Sequence, residues 1–525
     1  MDTLSPQALK DRLLGDAEFA LLDVREQGTF SESHLLFAVC TPLSQLELLL
    51  GDLVPRRTTE VIVVDEAGGA DGFGARAVDR LASFGYARVA LLEGGIQGWA
   101  NAGFELFSGV NVPSKAFGEF VEHTYETPRL AAEEVKAMLD AGRDMVIVDS
   151  RPYSEYHRMS IPTGIDMPGA ELAYRIHDVA PNPETFVVVN CAGRTRSIIG
   201  TQSLINAGIP NPVAALKDGT MGWHLAGFEV DRGATRAAPA PTDAGCEKAL
   251  AAAARVAARF EVPTVDLDTA LHWSRDEDRT TYLLDVRSPA EYVDGHMPGW
   301  RHAPGGQLVQ ATDEYVAVKN ARIVLCDDVG VRATMTASWL IQMGWPEVHV
   351  LEGGLRDAGL VQGDHRPVAL GEPAISTVTT SALSDALTGY AVIDVGPSNA
   401  FAEAHIPGAA WSARSRLGEA LATIGSDRTV VLTSTDGGLA AIAAGDPACA
   451  GREVLALEGG TARWIDEGRS VESGLDSAIG PIDDVWYKPY EHRGAQERFM
   501  RDYLTWEVAL VAQLERDGTT RFRQF

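Results

Sequence analysis

The chain has 525 residues, a mass of 56.2 kDa and a formal net charge of −28, from 45 Lys and Arg against 73 Asp and Glu. Its length predicts roughly three to four domains, and its 45% hydrophobic and 22% charged residues are typical of globular proteins rather than disordered or fibrous chains. Because the surplus of negative charge repels phosphate groups, the composition argues against a nucleic-acid partner and against binding to an anionic membrane surface.

The N-terminus, MDTLSPQALKDRLL, lacks the basic and apolar regions of a secretory signal, and no window of 18 uncharged apolar residues follows it. The cysteines are widely spaced without a CxxC pair, which is typical of reduced thiols rather than of disulfides or a zinc site. They are Cys40, Cys191, Cys246, Cys326 and Cys449. We therefore expect a cytoplasmic protein.

A repeated motif occurs four times along the chain. An apolar strand ends in Asp, and an aromatic residue follows seven positions later, as in LLDVREQGTF. Each unit later carries a glycine turn behind an apolar run, as in LLEGGIQGW, which ends at Trp99. The spacing is that of a domain rather than of a solenoid repeat. The acids are Asp23, Asp149, Asp285 and Asp394, and the aromatics are Phe30, Tyr156, Tyr292 and Phe401.

Within each unit, short β-branched runs such as VIVV (61–64) and VVV (187–189) alternate with helical patterns. This alternation predicts an α/β domain with a parallel sheet covered on both faces. The segment 234–247, which begins with an Ala/Pro/Thr-rich stretch, predicts a linker that divides the chain into two halves of two units each. Near the C-terminus, FMRDYLTWEVALVAQLER has the apolar spacing of a helix. We expect that helix to pack across the domains, with a partner-binding arm as the alternative.

The order LLDVR, aromatic, (H)xPG, strand, loop, helix and (E)GGxxxW resembles the rhodanese (sulfurtransferase) domain, four times over nearly the entire chain. The resemblance implies a five-stranded parallel sheet with helices on both faces in each domain. It also implies an active-site loop after the fourth strand, with a cysteine persulfide at its start. The predicted domains are residues 1–110, 117–233, 248–370 and 371–475, followed by a C-terminal helical tail over 476–525.

Only the second unit has a thiol at the loop position. Counting 42 residues from each repeated Asp reaches Asp65, Cys191, Asp327 and Asp436, although the fourth unit aligns better at Ser434. An aspartate or a serine cannot carry a sulfane sulfur. We therefore expect an active second domain and three inactive ones, whose acids occupy the loop as fixed anions.

The loop CAGRTRS of the second unit has features that favour a thiolate. Backbone N–H groups and the N-terminus of the following helix converge on the sulfur, and Gly193 permits a tight turn. Two arginines are expected to lower the pKa of the thiol and to attract an anionic sulfur donor. The predicted site comprises Cys191 as nucleophile, the loop residues Ala192, Gly193, Arg194, Thr195, Arg196 and Ser197, and the supporting pair Asp149 and Arg151.

Two other groups of residues could suggest different chemistry. The segment CDDVGVR has the C-x5-R spacing of cysteine phosphatases, but the register places Cys326 inside a strand and Asp327 at the loop position. Histidines follow the repeated Asp in three units, at His34, His296 and His405. Since the unit with the thiol has Ser160 there instead, we expect a structural role for these histidines.

The sequence thus predicts a sulfurtransferase that needs no metal or organic cofactor. The Cys191 thiolate attacks the outer sulfur of thiosulfate or a related donor, and the persulfide passes its sulfur to a thiol or cyanide. Two alternatives stay open: a mercaptopyruvate sulfurtransferase, and a non-catalytic sulfur-carrier or scaffold protein whose silent domains bind a partner. The oligomeric state is not predicted.

Overall fold

A computed structural model describes residues 1–355, 359–371, 375–425, 428–492 and 494–525. The chain forms two compact units. Unit one comprises Met1–Lys10, Ala20–Val110 and Pro367–Trp486. Unit two comprises Asp11–Phe19, Asn111–Arg366 and Tyr487–Phe525. The first and fourth repeats therefore share unit one, and the second and third share unit two. The predicted division into two sequential halves is wrong. The fourth repeat belongs to unit one, and the segment 234–247, which was expected to divide the chain, lies inside unit two.

In the first repeat the strands β1-β5-β4-β2 follow one another in the sheet, β3 also pairs with β2, and all of these pairs are parallel. The strands are β1 (Asp2–Leu4), β2 (Phe19–Asp23), β3 (Val39–Cys40), β4 (Glu60–Val64) and β5 (Arg88–Leu92). The helices are α1 (Pro6–Leu14), α2 (Gln27–Glu32), α3 (Leu46–Leu53), α4 (Phe73–Ser83) and α5 (Gly95–Asn101).

The second repeat follows α6 (Val112–Tyr125), and its parallel strands are ordered β6-β10-β9-β7-β8. They are β6 (Arg129–Leu130), β7 (Met145–Asp149), β8 (Ile165–Asp166), β9 (Phe186–Asn190) and β10 (Val213–Leu216). The helices are α7 (Ala132–Asp140), α8 (Tyr153–Arg158), α9 (Glu171–Val179), α10 (Thr195–Ala207) and α11 (Gly219–Leu225). The predicted domain start at residue 117 falls inside α6.

The third repeat follows α12 (Asp243–Arg259), with the sheet order β11-β16-β15-β12-β13. Its strands are β11 (Thr264–Val265), β12 (Thr281–Asp285), β13 (Arg301–His302), β14 (Val318–Lys319, outside this sheet order), β15 (Arg322–Cys326) and β16 (Glu347–Leu351). The helices are α13 (Leu267–Trp273), α14 (Pro289–Asp294), α15 (Gly305–Gln310) and α16 (Val331–Gln342).

The fourth repeat has the sheet order β17-β21-β20-β18-β19. Its strands are β17 (Thr377–Val378), β18 (Tyr390–Asp394), β19 (Ala410–Trp411), β20 (Thr429–Thr433) and β21 (Val454–Leu457). The helices are α17 (Thr380–Asp385), α18 (Ser398–Glu403), α19 (Leu417–Thr423), α20 (Gly438–Ala444) and α21 (Gly460–Asp466), and the C-terminal helix is α22 (Gln496–Asp517).

These four sheets confirm the predicted fold class. The central strands carry the β-branched runs, and Val187, Val188 and Val189 of β9 are fully buried. Strands that are covered on both faces read as continuous apolar runs, which is why the sequence located them. The predicted C-terminal helix is also confirmed as α22, which packs against α6 within unit two. Residues 476–486 of the predicted tail belong to unit one instead. No helix in the described part of the chain has the length and apolar character needed to cross a bilayer.

The segment 234–247 differs from the predicted linker. Its first part extends the edge of the second sheet, where the Asp166 N–H donates to the Arg236 carbonyl and the Ala238 N–H donates to the Asp166 carbonyl. From Asp243 onward the segment is already α12, because the Thr242 side chain caps the helix by accepting a hydrogen bond from the Gly245 N–H. The helix then packs against both α9 and α16, which joins the second and third repeats.

Candidate active site

The Cys191 side chain lies at the point where β9 ends and the chain turns into α10. It is 1% exposed, and its thiol donates to the Ser197 hydroxyl at 3.5 Å. The Ser197 hydroxyl in turn donates to the Arg194 carbonyl at 2.8 Å, which closes the turn. The structure thus brings the predicted loop residues, Cys191 to Ser197, together at the carboxyl end of the sheet.

The predicted supporting pair lies beneath this turn, at the end of the neighbouring strand β7. The Arg151 guanidinium donates to both carboxylate oxygens of Asp149, at 2.8 and 2.7 Å, and Asn190 donates to the same carboxylate at 2.8 Å. Asp149 therefore braces the residue that precedes Cys191. Arg25 with Asp23 and Arg287 with Asp285 form the same buried pair in two other repeats. A pair that recurs where the thiol is missing is a feature of the fold.

Arg194 does not act on the thiol as predicted. Its guanidinium is 5% exposed and donates to Glu119 of α6 at 2.7 and 2.8 Å, to Glu122 at 2.5 Å and to Asp218 at 3.1 Å. Three carboxylates take up its single positive charge. The side chain therefore ties the loop to α6 and α11 instead of supplying a free cation to the Cys191 sulfur.

Arg196 interacts electrostatically with the Cys191 thiol and has a different environment from Arg194. It donates to both oxygens of Glu155 at 3.1 and 2.9 Å, and Lys488 lies 3.1 Å from the same carboxylate. It also reaches Gln307 of the third repeat at 3.4 Å. Burial raises the pKa of the Cys191 thiol, although Arg196 and the Ser197 hydrogen bonds act in the opposite direction. Arg196 thus acts in the predicted direction, but burial outweighs it, so the pKa of the thiol is raised rather than lowered.

The C-terminal helix α22 covers the loop and supplies residues that the sequence analysis missed. The carboxylate of Glu507 and the ring of Tyr503 lie against Gly193, where an added Cβ would come within 3.1 Å of Glu507 Oε2 and 3.5 Å of Tyr503 Cε1. Gly193 therefore permits the close approach of another helix. The sequence did hold a signal, because Glu507 lies on the buried stripe of α22 with Met500, Leu510 and Leu514.

Helix α6 completes the enclosure from the other side. The Lys115 ammonium lies over the rings of Tyr503 and Trp506, 5.3 and 5.2 Å from their centroids. Burial lowers the pKa of Lys115, and burial raises the pKa of Glu507.

Among the described residues, no group of three or more His, Cys, Asp or Glu side chains is arranged to hold a metal ion.

Four segments of the chain match the family described as Rhodanese-like domain: residues 5–102, 131–226, 268–358 and 379–467. The chain belongs to the rhodanese family. It is also similar over its whole length to the crystal structure of "Thiosulfate sulfurtransferase from Pseudomonas aeruginosa", with a TM-score of 0.95 and 48% identity, covering 100% of this chain and 99% of that one. The protein is thus a tandem rhodanese-type sulfurtransferase.

Single rhodanese domains of the chain also resemble parts of other proteins. The putative sulfur carrier protein YrkF of Bacillus subtilis is 30% identical over 96 residues, 18% of this chain and 50% of that protein. The HTH-type transcriptional regulator Rv0324 of Mycobacterium tuberculosis is 34% identical over 91 residues, 17% of this chain and 39% of that protein. The chain spans half or less of both relatives.

In two of the other rhodanese domains, an acid stands where Cys191 stands and fills the turn as expected. Asp65 accepts hydrogen bonds from the N–H groups of Gly68 and Gly74, at 2.6 and 2.8 Å. Asp327 accepts from the N–H groups of Gly330 and Arg332. These carboxylates occupy the N–H groups that face the loop centre.

The fourth rhodanese domain resolves the ambiguity between Ser434 and Asp436. Ser434 directly follows β20, as Cys191 follows β9, and its hydroxyl accepts from the Ala440 N–H at 3.2 Å. Asp436 lies further along the turn and accepts from the Gly438 N–H at 2.9 Å. The loop position of this domain is therefore a serine.

Cys326 and the three repeated histidines lie where a structural role is expected. Cys326 is the last residue of β15 and is buried, as the register predicted. The histidines of the other three domains each stack on the repeated aromatic residue, with ring centroids 3.8 to 4.0 Å apart. The stacked histidines are His34, His296 and His405.

Proposed function

We propose that the second rhodanese domain transfers sulfane sulfur from thiosulfate, or a related anionic donor, to a thiol or cyanide through a persulfide on Cys191. The observation that carries the proposal is the position of this thiol in the turn between β9 and α10, where the other three domains have Asp65, Asp327 and Ser434. A cysteine sulfur can both accept and release sulfane sulfur, whereas a carboxylate or a hydroxyl cannot. The other three domains are then catalytically silent.

The proposed reaction has two steps. In the first, the Cys191 sulfur forms a bond to the outer sulfur of thiosulfate, the bond from that sulfur to the sulfonate group breaks, and sulfite leaves with the electron pair. In the second, an acceptor thiolate or cyanide attacks the outer sulfur of the persulfide, and the electron pair of the broken S–S bond returns to Cys191. No metal or organic cofactor enters either step.

The charges beside the thiol support an anionic donor. Arg196 and Lys488 share the single carboxylate of Glu155, at 2.9 and 3.1 Å, so this cluster has one positive charge in excess. Arg194 contributes none, because three carboxylates surround it. Similarity to a protein named thiosulfate sulfurtransferase, over the whole length of both chains, supports thiosulfate in particular.

The proposal also covers the cellular location of the enzyme, the bounds of its active domain and its partners. All five cysteines are free, which is consistent with a reducing compartment and with the cytoplasmic location that we propose. It also retains residues 117–233 as the active domain, with the correction that α6 begins at Val112. Small-molecule donors and acceptors are the proposed partners.

Intact mass measurement of the full chain after brief treatment with a sulfur donor tests the proposal. Thiosulfate should add the mass of one sulfur atom to the wild-type chain and release one sulfite. The Cys191→Ser variant should gain nothing, and Cys326→Ser should behave as wild type.

Mercaptopyruvate serves as a second donor in the same experiment. Preferential loading from mercaptopyruvate would favour the related sulfurtransferase named above. Absence of added sulfur from both donors, or sulfur on Cys326 rather than Cys191, would overturn the proposal.

A further inference from the structure

The carboxylate of Glu507 is buried at the Cys191 turn although it comes from the far end of the chain. The residue is 2% exposed. Its Oε1 atom accepts hydrogen bonds from the Tyr503 hydroxyl at 3.1 Å and from the Thr195 hydroxyl at 3.4 Å. Its Oε2 atom has no hydrogen-bond partner among the residues that the structure describes, and it lies on the side that faces Gly193. One oxygen is thus held in place while the other is directed at the loop.

Such an arrangement is costly for folding. A buried polar atom without a hydrogen-bond partner destabilises a protein, and the cost is larger for a charged group. An apolar side chain at this position of α22 would continue the buried stripe formed by Met500, Leu510 and Leu514. The other buried acid of α22, Asp517, accepts a hydrogen bond from the Thr519 N–H. The charge of Lys115 offsets part of the cost for Glu507, but Oε2 still has no hydrogen-bond partner among the described residues and faces the reactive loop, so packing alone does not explain this carboxylate.

We propose that Glu507 is the proton-transfer residue of the Cys191 site. In the structure the thiol donates to the Ser197 hydroxyl. When Cys191 attacks the sulfur donor, the thiol proton leaves this hydrogen bond and is accepted by Glu507 Oε2, and Glu507 returns the proton when the acceptor removes the sulfur. This inference rests on the persulfide mechanism proposed above, and it assigns a catalytic function to the C-terminal helix.

Atoms and charges balance in both half-reactions. In the first, the thiol, the Glu507 carboxylate and thiosulfate give the Cys191 persulfide anion, the Glu507 carboxylic acid and sulfite. In the second, an acceptor thiolate takes the outer sulfur, the Cys191 sulfur receives the electron pair of the broken S–S bond, and the proton returns to it from Glu507. The cycle needs no further acid or base.

The electrostatic surroundings match this exchange. Burial raises the pKa of the Cys191 thiol, so a base is needed at neutral pH. Burial also raises the pKa of Glu507 to about 7, which brings the carboxylate closer to the thiol in proton affinity. Tyr490, in the turn before α22, interacts with Glu155 and Arg196. The charged or titratable groups that face Glu507 are Lys115 and Glu119 from α6, Arg194 and Cys191 from the loop, and Tyr503 from its own helix.

The test compares Glu507→Gln with Glu515→Gln in the full chain. Both changes remove one carboxylate from α22, but Glu515 is exposed. Rapid-quench mass measurement of persulfide formation with thiosulfate, repeated across pH, reports the proton-transfer step. We expect Glu507→Gln to slow this step by about 100-fold or more at neutral pH and Glu515→Gln to leave it unchanged. The wild-type rate should rise with pH through the titration of Glu507, and this limb should be missing in Glu507→Gln.

A second variant guards against loss of folding. Glu507→Asp keeps the carboxylate but withdraws it from the loop, so it should lower the rate while preserving a pH-dependent limb. If the rate of persulfide formation in Glu507→Gln matches wild type at every pH, the proposal is overturned while the sulfurtransferase mechanism stands. If the Gln variant does not fold, the same criterion applies to Glu507→Asp. If wild type itself gains no sulfur on Cys191, the mechanism on which the inference rests fails first.

Discussion

The most informative stability experiment replaces Arg194 by alanine. Its guanidinium binds Glu119, which is 1% exposed, together with Glu122 and Asp218. Removal of one partner from a buried ion pair costs about 3–5 kcal/mol, because the remaining charge stays buried without compensation. The Asp218 contact adds little, since that side chain is 27% exposed. We therefore expect Arg194→Ala to lower the opening free energy of the second domain by about 3–5 kcal/mol.

Hydrogen exchange measures this opening locally, which is needed because a chain of several domains does not unfold in one step. Peptides from α6, and from the loop that leads through Arg194 into α10, report on the elements held together by its ion pairs with Glu119 and Glu122. Arg88→Ala is the matched control, because it also removes an arginine that pairs with a glutamate but does so where Arg88 is 61% exposed. Such a surface pair contributes about 0–1 kcal/mol.

A comparison of Arg194→Ala with Arg196→Ala shows which arginine affects the pKa of the Cys191 thiol and which affects only stability. The pH dependence of Cys191 alkylation reports its pKa, and Arg196→Ala should raise that pKa further because Arg196 opposes the effect of burial. Arg194→Ala should change it much less. The reasoning is refuted if Arg194→Ala costs no more than Arg88→Ala, or if it raises the thiol pKa as much as Arg196→Ala does.

Two further predictions concern the loop contact and an ion pair of the third domain. Gly193→Ala should weaken hydrogen-exchange protection of α22 and slow sulfur transfer, because its Cβ would lie 2.9 Å from Met221 Cε and 3.1 Å from Glu507 Oε2; Gly69→Ala, where nothing lies within 4 Å, is the control, and equal behaviour of the two would contradict the contact. Although burial alone would raise it, the pKa of Glu291 is lowered to about 2 by Arg332 and Ser288. This pair should therefore stabilise the third domain fully above the ordinary glutamate pKa of about 4.3, and its contribution should be lost as pH falls toward about 2. Acid unfolding followed by hydrogen exchange measures the loss, and Glu291→Gln should remove this part of the pH dependence; an unchanged acid profile in that variant would count against it.

The sequence by itself determined the fold of each domain and the position of its loop. Buried parallel strands must be apolar on both faces, so runs such as VVV over 187–189 are visible without a structure. The fixed spacing from Asp149 to Cys191 also follows from local order along the chain, because the strands, turns and helices between them have standard lengths. The same register placed Cys326 inside a strand and Asp327 at the loop position.

Tertiary structure alone decided which partners surround the loop. Glu507 reaches Thr195 across 312 positions of sequence, and Glu119 reaches Arg194 across 75. No local pattern encodes such distant pairs. The two arginines of the loop are visible in the sequence, but the neutralisation of Arg194 by carboxylates from other elements is not. The pKa of Cys191 likewise depends on burial and on the charge of Glu507, which belongs to a helix that begins at Gln496, far along the chain. Burial and charge pairing arise when separate elements pack together, and for that reason the chemistry of this site is decided by the folded chain.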